Sequence, residues 1–238
     1  MTASGLKFAN TVVKECKSTN DLAHQLGANQ YPHGTWVAAQ KQVLGRGSKG
    51  RQWESLEGNL FLSVILRVSN KKLWSWVPLM VAVAIVDAVK NFNNNIELKI
   101  KWPNDLWYNN AKIGGILCES VGDHAGSYIV AGVGLNFLNA PEKCDHKATS
   151  LCEIDSNISI EQLGLLRNKV ITKVLQWTTK LEEQGSEHVV KVYSHCAVLQ
   201  KGTKISWNET SGEKSEGSVL GIGDFGELLV KTKDETIK

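Results

Sequence analysis

No pair of cysteines in this chain has the C-x-x-C spacing of a zinc or dithiol site. Cys16, Cys118, Cys144, Cys152 and Cys196 are scattered and odd in number, which argues against a disulfide framework and for a reducing compartment. An apolar stretch long enough to span a bilayer is also missing. The longest run, Val77 to Val86, falls well short of the roughly 20 residues required, and Met1-Thr2-Ala3-Ser4 leads into no signal-peptide core. The expectation is a cytoplasmic protein with no membrane partner. Charge of one sign is not in excess either: 27 Lys and Arg against 24 Asp and Glu leave +3, without the global electrostatic footprint of a nucleic-acid binder. There is no internal repeat, no low-complexity segment and no G-x-S-x-G nucleophile elbow. His24, His33, His124, His146, His188 and His195 show no metal-ligand spacing and read as surface or capping residues. What is present is an apolar fraction of 42% over 238 residues, enough for an ordinary core in one or two domains.

Against that background one stretch is dense in glycine and positive charge: Leu44-Gly45-Arg46-Gly47-Ser48-Lys49-Gly50-Arg51-Gln52-Trp53. Its Gly-x-Gly-x-x-Gly spacing matches a dinucleotide fingerprint. However, no helical period follows Gly50, and Leu66, Arg67 and Val68 stand where the ribose-binding acid should be. Gly45-x4-Gly50 fails as a Walker A loop because Arg51-Gln52 replaces Lys and Ser or Thr. Two readings remain: a solvated surface loop, or a basic flap that orders itself over an anion, with glycines admitting close backbone approach and arginine supplying a fork of donors.

Ser18-Thr19-Asn20-Asp21 offers N-cap side chains to a short helix that Gly27 could end in a left-handed conformation. Thr35 to Ala39 and Asn59 to Val68 read as neighbouring strands flanking the basic loop, with Leu60, Leu62, Val64 and Leu66 on one face. Pro78 opens a buried helix to Phe92, ended by Asn93-Asn94-Asn95. Strands follow at Ile96 to Trp102, Lys112 to Val121 and Tyr128 to Phe137, with turns at Tyr108-Asn109-Asn110 and Gly122-Asp123-His124-Ala125-Gly126. The capping box Ser159-x-x-Gln162 starts a long amphipathic helix carrying Leu163, Leu166, Val170, Val174, Trp177 and Leu181, ending near Gly185. Short strands at Thr203 to Trp207, Gly217 to Ile222 and Glu227 to Lys231 make a small β unit expected to lean on the rest. The whole reads as a mixed α+β sheet.

Lys101-Trp102-Pro103-Asn104-Asp105 sits where a strand stops, so Asn104 and Asp105 either project from a rigid turn toward a metal, amine or phosphate, or simply satisfy that turn's backbone. Lys112 before Ile113-Gly114-Gly115 either counters an oxyanion or is an exposed strand-edge lysine. Glycines inside a strand weaken it unless something approaches the backbone closely, and Gly132-Val133-Gly134-Leu135-Asn136 repeats that pattern. Two gapped strands side by side make a slot.

Taken in order, Lys17-Ser18-Thr19-Asn20, Gln42-x-x-Gly45-Arg46-Gly47-x-x-Gly50-Arg51-x-Trp53, Lys101 to Asp105, Lys112 to Leu117 and Gly132-x-Gly134-x-Asn136 resemble the biotin protein ligases. The resemblance implies a class II synthetase-like catalytic domain of the biotin–lipoate ligase type over residues 1–194, and a small SH3-like β-barrel domain over residues 195–238. It implies that biotin and ATP, with Mg²⁺, give biotinyl-5′-AMP, and that the acyl group then passes to a lysine of a biotin carboxyl carrier domain. Catalytic roles are implied for Arg46, Lys112 and Asp105, the last also as a metal ligand. Ser18, Thr19, Asn20, Gln42, Gly45 and Arg46 are implied at the biotin end, together with Gly47, Ser48, Lys112, Gly115 and Gly132. ATP is implied to meet Arg46, Ser48, Lys49 and Arg51, with Trp53 over the adenine, Asn104 and Asn136 holding the nucleotide, and Lys112 reaching the biotin carboxylate and the α-phosphate.

Ser48 stands where many relatives have arginine, so one phosphate contact is either absent or supplied by Lys49. Only residues 1–17 precede Ser18, so the winged helix-turn-helix of bifunctional relatives and specific DNA binding are not expected, while a homodimer is allowed. A lipoate ligase shares fold and acceptor type but usually lacks the Gly-Arg-Gly loop and the Trp-Pro-Asn-Asp pairing. A single-strand nucleic-acid binder would use Trp36, Trp53 and Trp102.

Overall fold

The computed structural model describes residues 7–122, 126–142, 146–209 and 212–232. In chain order, strand β1 (Thr11–Cys16) leads to helix α1 (Thr19–Ala28), then to β2 (Trp36–Gln42), β3 (Leu60–Leu66) and helix α2 (Val77–Phe92). Short strands β4 (Lys99–Lys101) and β5 (Asp105–Tyr108) precede the longer β6 (Ala111–Val121) and β7 (Tyr128–Leu135). Helices α3 (Leu151–Ile154), α4 (Leu163–Gln184) and α5 (Glu187–Cys196) follow, then strands β8 (Lys204–Asn208), β9 (Lys214–Ile222) and β10 (Leu228–Thr232). Seven strands form one sheet in the order β1-β2-β3-β7-β6-β5-β4, parallel between β1 and β2 and antiparallel elsewhere. This is the mixed α+β sheet expected.

Both faces of the sheet centre are covered. Along β3 every residue is buried. Leu60, Leu62, Val64 and Leu66 join the large core beneath α2 and α4, while Ile65 joins a smaller core with Ala23 and Leu26 of α1. A strand covered on both sides shows a continuous apolar run rather than clean alternation. Pro78 sits in the first turn of α2, where its missing N–H costs nothing. The stretch Lys71–Phe92 is long and apolar enough to cross a membrane, and in this fold most of it is buried inside the core. Helix α4 starts at the expected capping box, buries Leu166, Val170, Val174, Trp177 and Leu181, and stops at Gly185 with φ +74°.

Several expectations are corrected. Gly27 does not end α1: the helix continues to Ala28, Gln30 takes the positive φ of 59°, and a Cβ on Gly27 would collide with the ring of Tyr128. Its smallness serves helix-to-sheet contact. Ser18 is the N-cap of α1 but makes no side-chain cap bond. Of Ile96 to Trp102 only Lys99–Lys101 is strand. Helices α3 and α5 had no counterpart in the sequence reading. His124, Cys144 and the middle of the 122–126 turn lie outside the described residues, as do parts of the 208–212 turn and Met1 to Ser4.

Strands β8, β9 and β10 form a three-stranded antiparallel sheet in the order β10-β9-β8. It leans on the main body. The indole N–H of Trp76 donates to Asp224 O at 3.0 Å and that of Trp102 to Gly226 O at 2.9 Å. Ala197 bridges Ile100 of β4, and Val198 N donates to Ile100 O.

Candidate active site

Two cross-strand rows build the floor of the site. In one, Ala39, Phe61, Gly134, Gly115 and Asp105 stand opposite one another on β2, β3, β7, β6 and β5; in the next, Val37, Ser63, Gly132 and Leu117 do so. The two gapped strands foreseen in the sequence are therefore direct neighbours. A further device is needed, because Lys112 and Gly115 are three residues apart and an unbroken pleat would send them to opposite faces. Leu106 of β5 pairs with Gly114 and the next residue, Trp107, pairs with Lys112, so Ile113 is the extra residue of a β-bulge. The bulge re-aims Lys112 onto the face that carries Gly115. Both line the same cavity, of about 410 Å³.

One wall is the start of α1. Thr19 N donates to Gln42 Oε1 at 2.8 Å, and Gln42 Nε2 donates to Ser55 Oγ at 3.2 Å. The buried hydroxyl of Ser63 donates to Asn20 Oδ1 at 2.6 Å and lies 2.8 Å from Thr19 Oγ1. Asn20 Nδ2 donates to Glu119 Oε2 at 2.6 Å. Asn20 is 3% exposed, so its amide is fixed by partners rather than by solvent. A Cβ on Gly132 would collide with that amide. Gly132 thus makes room for Asn20 while still lining the cavity.

The basic loop is a short hairpin. Arg46 bridges Gln52, Trp53 N donates to Gly45 O at 2.9 Å, Gly47 N donates to Arg51 O at 2.8 Å, and Lys49 and Gly50 turn the tip with φ of 58° and 72°. Arg46 Nη1 donates to Asp21 Oδ1 at 2.7 Å, and its Nη2 lies 3.4 Å from Glu119 Oε2. Arg51 Nη2 donates to Ser48 Oγ at 3.0 Å. The indole of Trp53 lies over the glycine row: a Cβ on Gly134 would sit 2.6 Å from Trp53 Cε2 and one on Gly115 3.2 Å from Cζ3. Trp53 Nε1 is buried without a hydrogen-bond partner among the described residues.

At the far end, Lys112 Nζ pairs with Asp105 Oδ1 at 2.7 Å and lies 5.7 Å from the Trp53 ring centroid. Asp105 begins β5 instead of projecting from a turn, so the strand ladder fixes this pair. Asn104 Nδ2 donates to Ile116 O at 2.7 Å and Asn136 Nδ2 to Thr149 O at 3.0 Å. Behind them the Asn59 side-chain oxygen accepts from the backbone N–H groups of Phe137, Leu138 and Asn139, each at 3.0 Å, and pins the segment after β7.

Ser18, Thr19, Asn20, Gln42, Arg46, Gly47 and Ser48 line the cavity, as do Arg51, Trp53, Asn104, Asp105, Lys112, Gly115, Gly132 and Asn136. Two expected residues are not among its lining. Gly45 is buried behind the hairpin against Trp53 O and Ser55, and Lys49 is exposed at the tip. Arg51 lines the cavity where Lys49 does not. His146, read from sequence as a surface residue, also lines it, with its ring 6.1 Å from that of Trp107. Ser63 and Glu119, and Asp21 beyond its place as a cap candidate, have no role in the sequence reading, yet they hold lining residues from behind. Only the alternation of β3, which turns Ser63 away from the leucines, hinted at one of them.

The model of the biotin/lipoate A/B protein ligase family matches residues 12–136. The bifunctional ligase/repressor BirA of Bacillus subtilis is 33% identical over 225 residues, covering 91% of this chain and 67% of the relative. The biotin–[acetyl-CoA-carboxylase] ligase of Mycobacterium tuberculosis is 28% identical over 236 residues, covering 95% of this chain and 84% of the relative. Among solved structures, the biotin protein ligase of Aquifex aeolicus in complex with biotin and ATP superposes with a TM-score of 0.80 at 25% identity, covering 96% of this chain and 94% of that one. The matched segment contains the floor strands, the hairpin, the Asn20 wall and the Lys112–Asp105 pair, and the chain belongs to the biotin/lipoate A/B protein ligase family.

Proposed function

We propose that this chain is an ATP-dependent biotin ligase that forms biotinyl-5′-AMP and passes the biotinyl group to a lysine of a carboxylase's biotin carboxyl carrier domain. The observation that carries the reading is one cavity lined by Arg46 on a glycine hairpin and by Lys112 paired with Asp105. Biotin is favoured over lipoate because the Mycobacterium tuberculosis relative and the Aquifex aeolicus structure are named for biotin. The 195–238 segment is proposed as the SH3-like unit, although α5 runs on through Cys196 before it separates.

In the first step a biotin carboxylate oxygen attacks the α-phosphorus of ATP, a new P–O bond forms, and the bond to pyrophosphate breaks. Lys112 and Arg46 present positive charge where the phosphoryl oxygens gain negative charge. Arg51, held to Ser48, takes the phosphate contact left open by Ser48, and Asn104 and Asn136 bound the nucleotide end. The hairpin with Trp53 shields the mixed anhydride from water. In the second step the acceptor amine attacks the acyl carbon, AMP leaves with the C–O bond electrons, and Asp105 is placed to take the amine proton. Magnesium fits as a companion of the phosphates. No group of three or more His, Cys, Asp or Glu that could cage it exists among the described residues, and Asp105 offers the single carboxylate such an ion uses alongside phosphate oxygens. When bound, the ion would neutralise phosphate charge.

ATP–pyrophosphate exchange tests the reading. Exchange should depend on biotin and not on lipoate; exchange with lipoate alone, or with neither, overturns it. Arg46→Ala should form the adenylate yet release it, biotinylating lysines indiscriminately, which adenylate retention on a filter reads directly.

A further inference from the structure

Arg46 is held from outside the cavity it lines. Its guanidinium reaches Asp21 in the first turn of α1 and Glu119 on β6, and neither carboxylate is part of the cavity wall. Glu119 is also the acceptor for Asn20 Nδ2 at 2.6 Å and lies 3.4 Å from His24 Nε2. One carboxylate therefore joins the α1 wall, the sheet and the hairpin. Arg46 in turn bridges Gln52 across the hairpin, so fixing its guanidinium fixes the strand pair that carries Arg51 and Trp53.

Resting on the function just proposed, we infer that Asp21 and Glu119 are positioning residues that brace Arg46 and keep the hairpin shut over the activated acyl group. A guanidinium has five N–H donors in a planar fork, so carboxylates on one edge leave donors on the other for an anion in the cavity. The two carboxylates and the ligand thus take different donors of one cation. They do not compete for it.

An exposed ion pair is worth up to about fivefold in an equilibrium. The arginine and its partners are between 31% and 39% exposed, so each contact falls in that class. Asp21→Asn and Glu119→Gln keep side-chain shape and an acceptor oxygen for Asn20 while removing the charge. Each should raise the rate at which biotinyl-5′-AMP escapes about threefold to fivefold, and the double variant about tenfold, with a matching rise in indiscriminate lysine labelling. In an Arg46→Ala background the same substitutions should add nothing, because the group they act through is gone. A general loosening of the fold would instead add to the Arg46→Ala effect.

The experiment is a full cycle of Asp21→Asn, Glu119→Gln and Arg46→Ala, read by adenylate escape and by pyrophosphate exchange on the same samples. Parent-like retention in both single variants overturns the brace, as does slower escape, which would make the carboxylates competitors of the ligand. Full additivity with Arg46→Ala overturns it as well. Absence of exchange in the parent chain would instead refute the function, and the two failures are told apart by that control.

Discussion

The two faces of the seven-stranded sheet are built on opposite rules. Under α2 and α4, Leu60, Leu62, Val64 and Leu66 of β3 and Ile129, Val133 and Leu135 of β7 fill space with apolar volume. On the α1 side the same strands offer Ser63, Gly132 and Gly134, and space is left so that Asn20 and Trp53 can lie on the backbone. One face is designed for density and the other for reach. It follows that substitutions on the first should be read in stability and those on the second in turnover.

Leu62→Ala is the strongest way to test that division. Leu62 is fully buried, and the substitution should cost about 2–5 kcal/mol in denaturant unfolding while leaving the KM for biotin of the folded protein unchanged. Lys112→Ala should remove about 3 kcal/mol of transition-state stabilisation, a loss of 10²-fold or more in pyrophosphate exchange; an unchanged rate would demote Lys112 to a surface lysine. Gly134→Ala forces the Trp53 indole to shift, an overpacking cost of about 1–3 kcal/mol that should appear as a roughly tenfold or greater loss in kcat/KM more than as a loss of melting temperature. If its whole effect were on melting temperature, the distinction between faces would fail.

The smallest effect is alkaline. Burial pushes the Cys196 thiol from 9.0 up to about 11. The folded state therefore keeps its proton where the unfolded chain loses it, so this contribution to stability is complete below pH 9 and is lost as pH rises toward 11. Cys196→Ala should flatten part of the fall in melting temperature across that window.

What could be read from residues alone follows this same division. Helices α2 and α4 and the strands around the glycine motifs were legible because each carries its own signal: Pro78, the Ser159–Gln162 box, alternating leucines. The lining residues were legible because motif order pointed to them. Glu119, Asp21 and Ser63 were not, since what makes them matter is a partner far away in sequence, 73 residues on for Arg46 and Glu119 and 43 for Ser63 and Asn20. Gly27 looked like a helix stop, and its three-dimensional neighbour Tyr128 needs its smallness instead; Gly132, which lines the cavity, also has to admit Asn20, a contact that spacing does not show. Short α3 and α5 lacked a period long enough to register.

The extra residue at Ile113 carries a consequence for anyone editing this chain. Adding one residue between Leu106 and Trp107 of β5 would give Ile113 a partner, restore an even pleat with Lys112 still three residues from Gly115, and swing Lys112 underneath, among the leucines and isoleucines that α2 covers. An ammonium would be entombed in oil and the cavity left without it, although every motif residue would still be present in the gene.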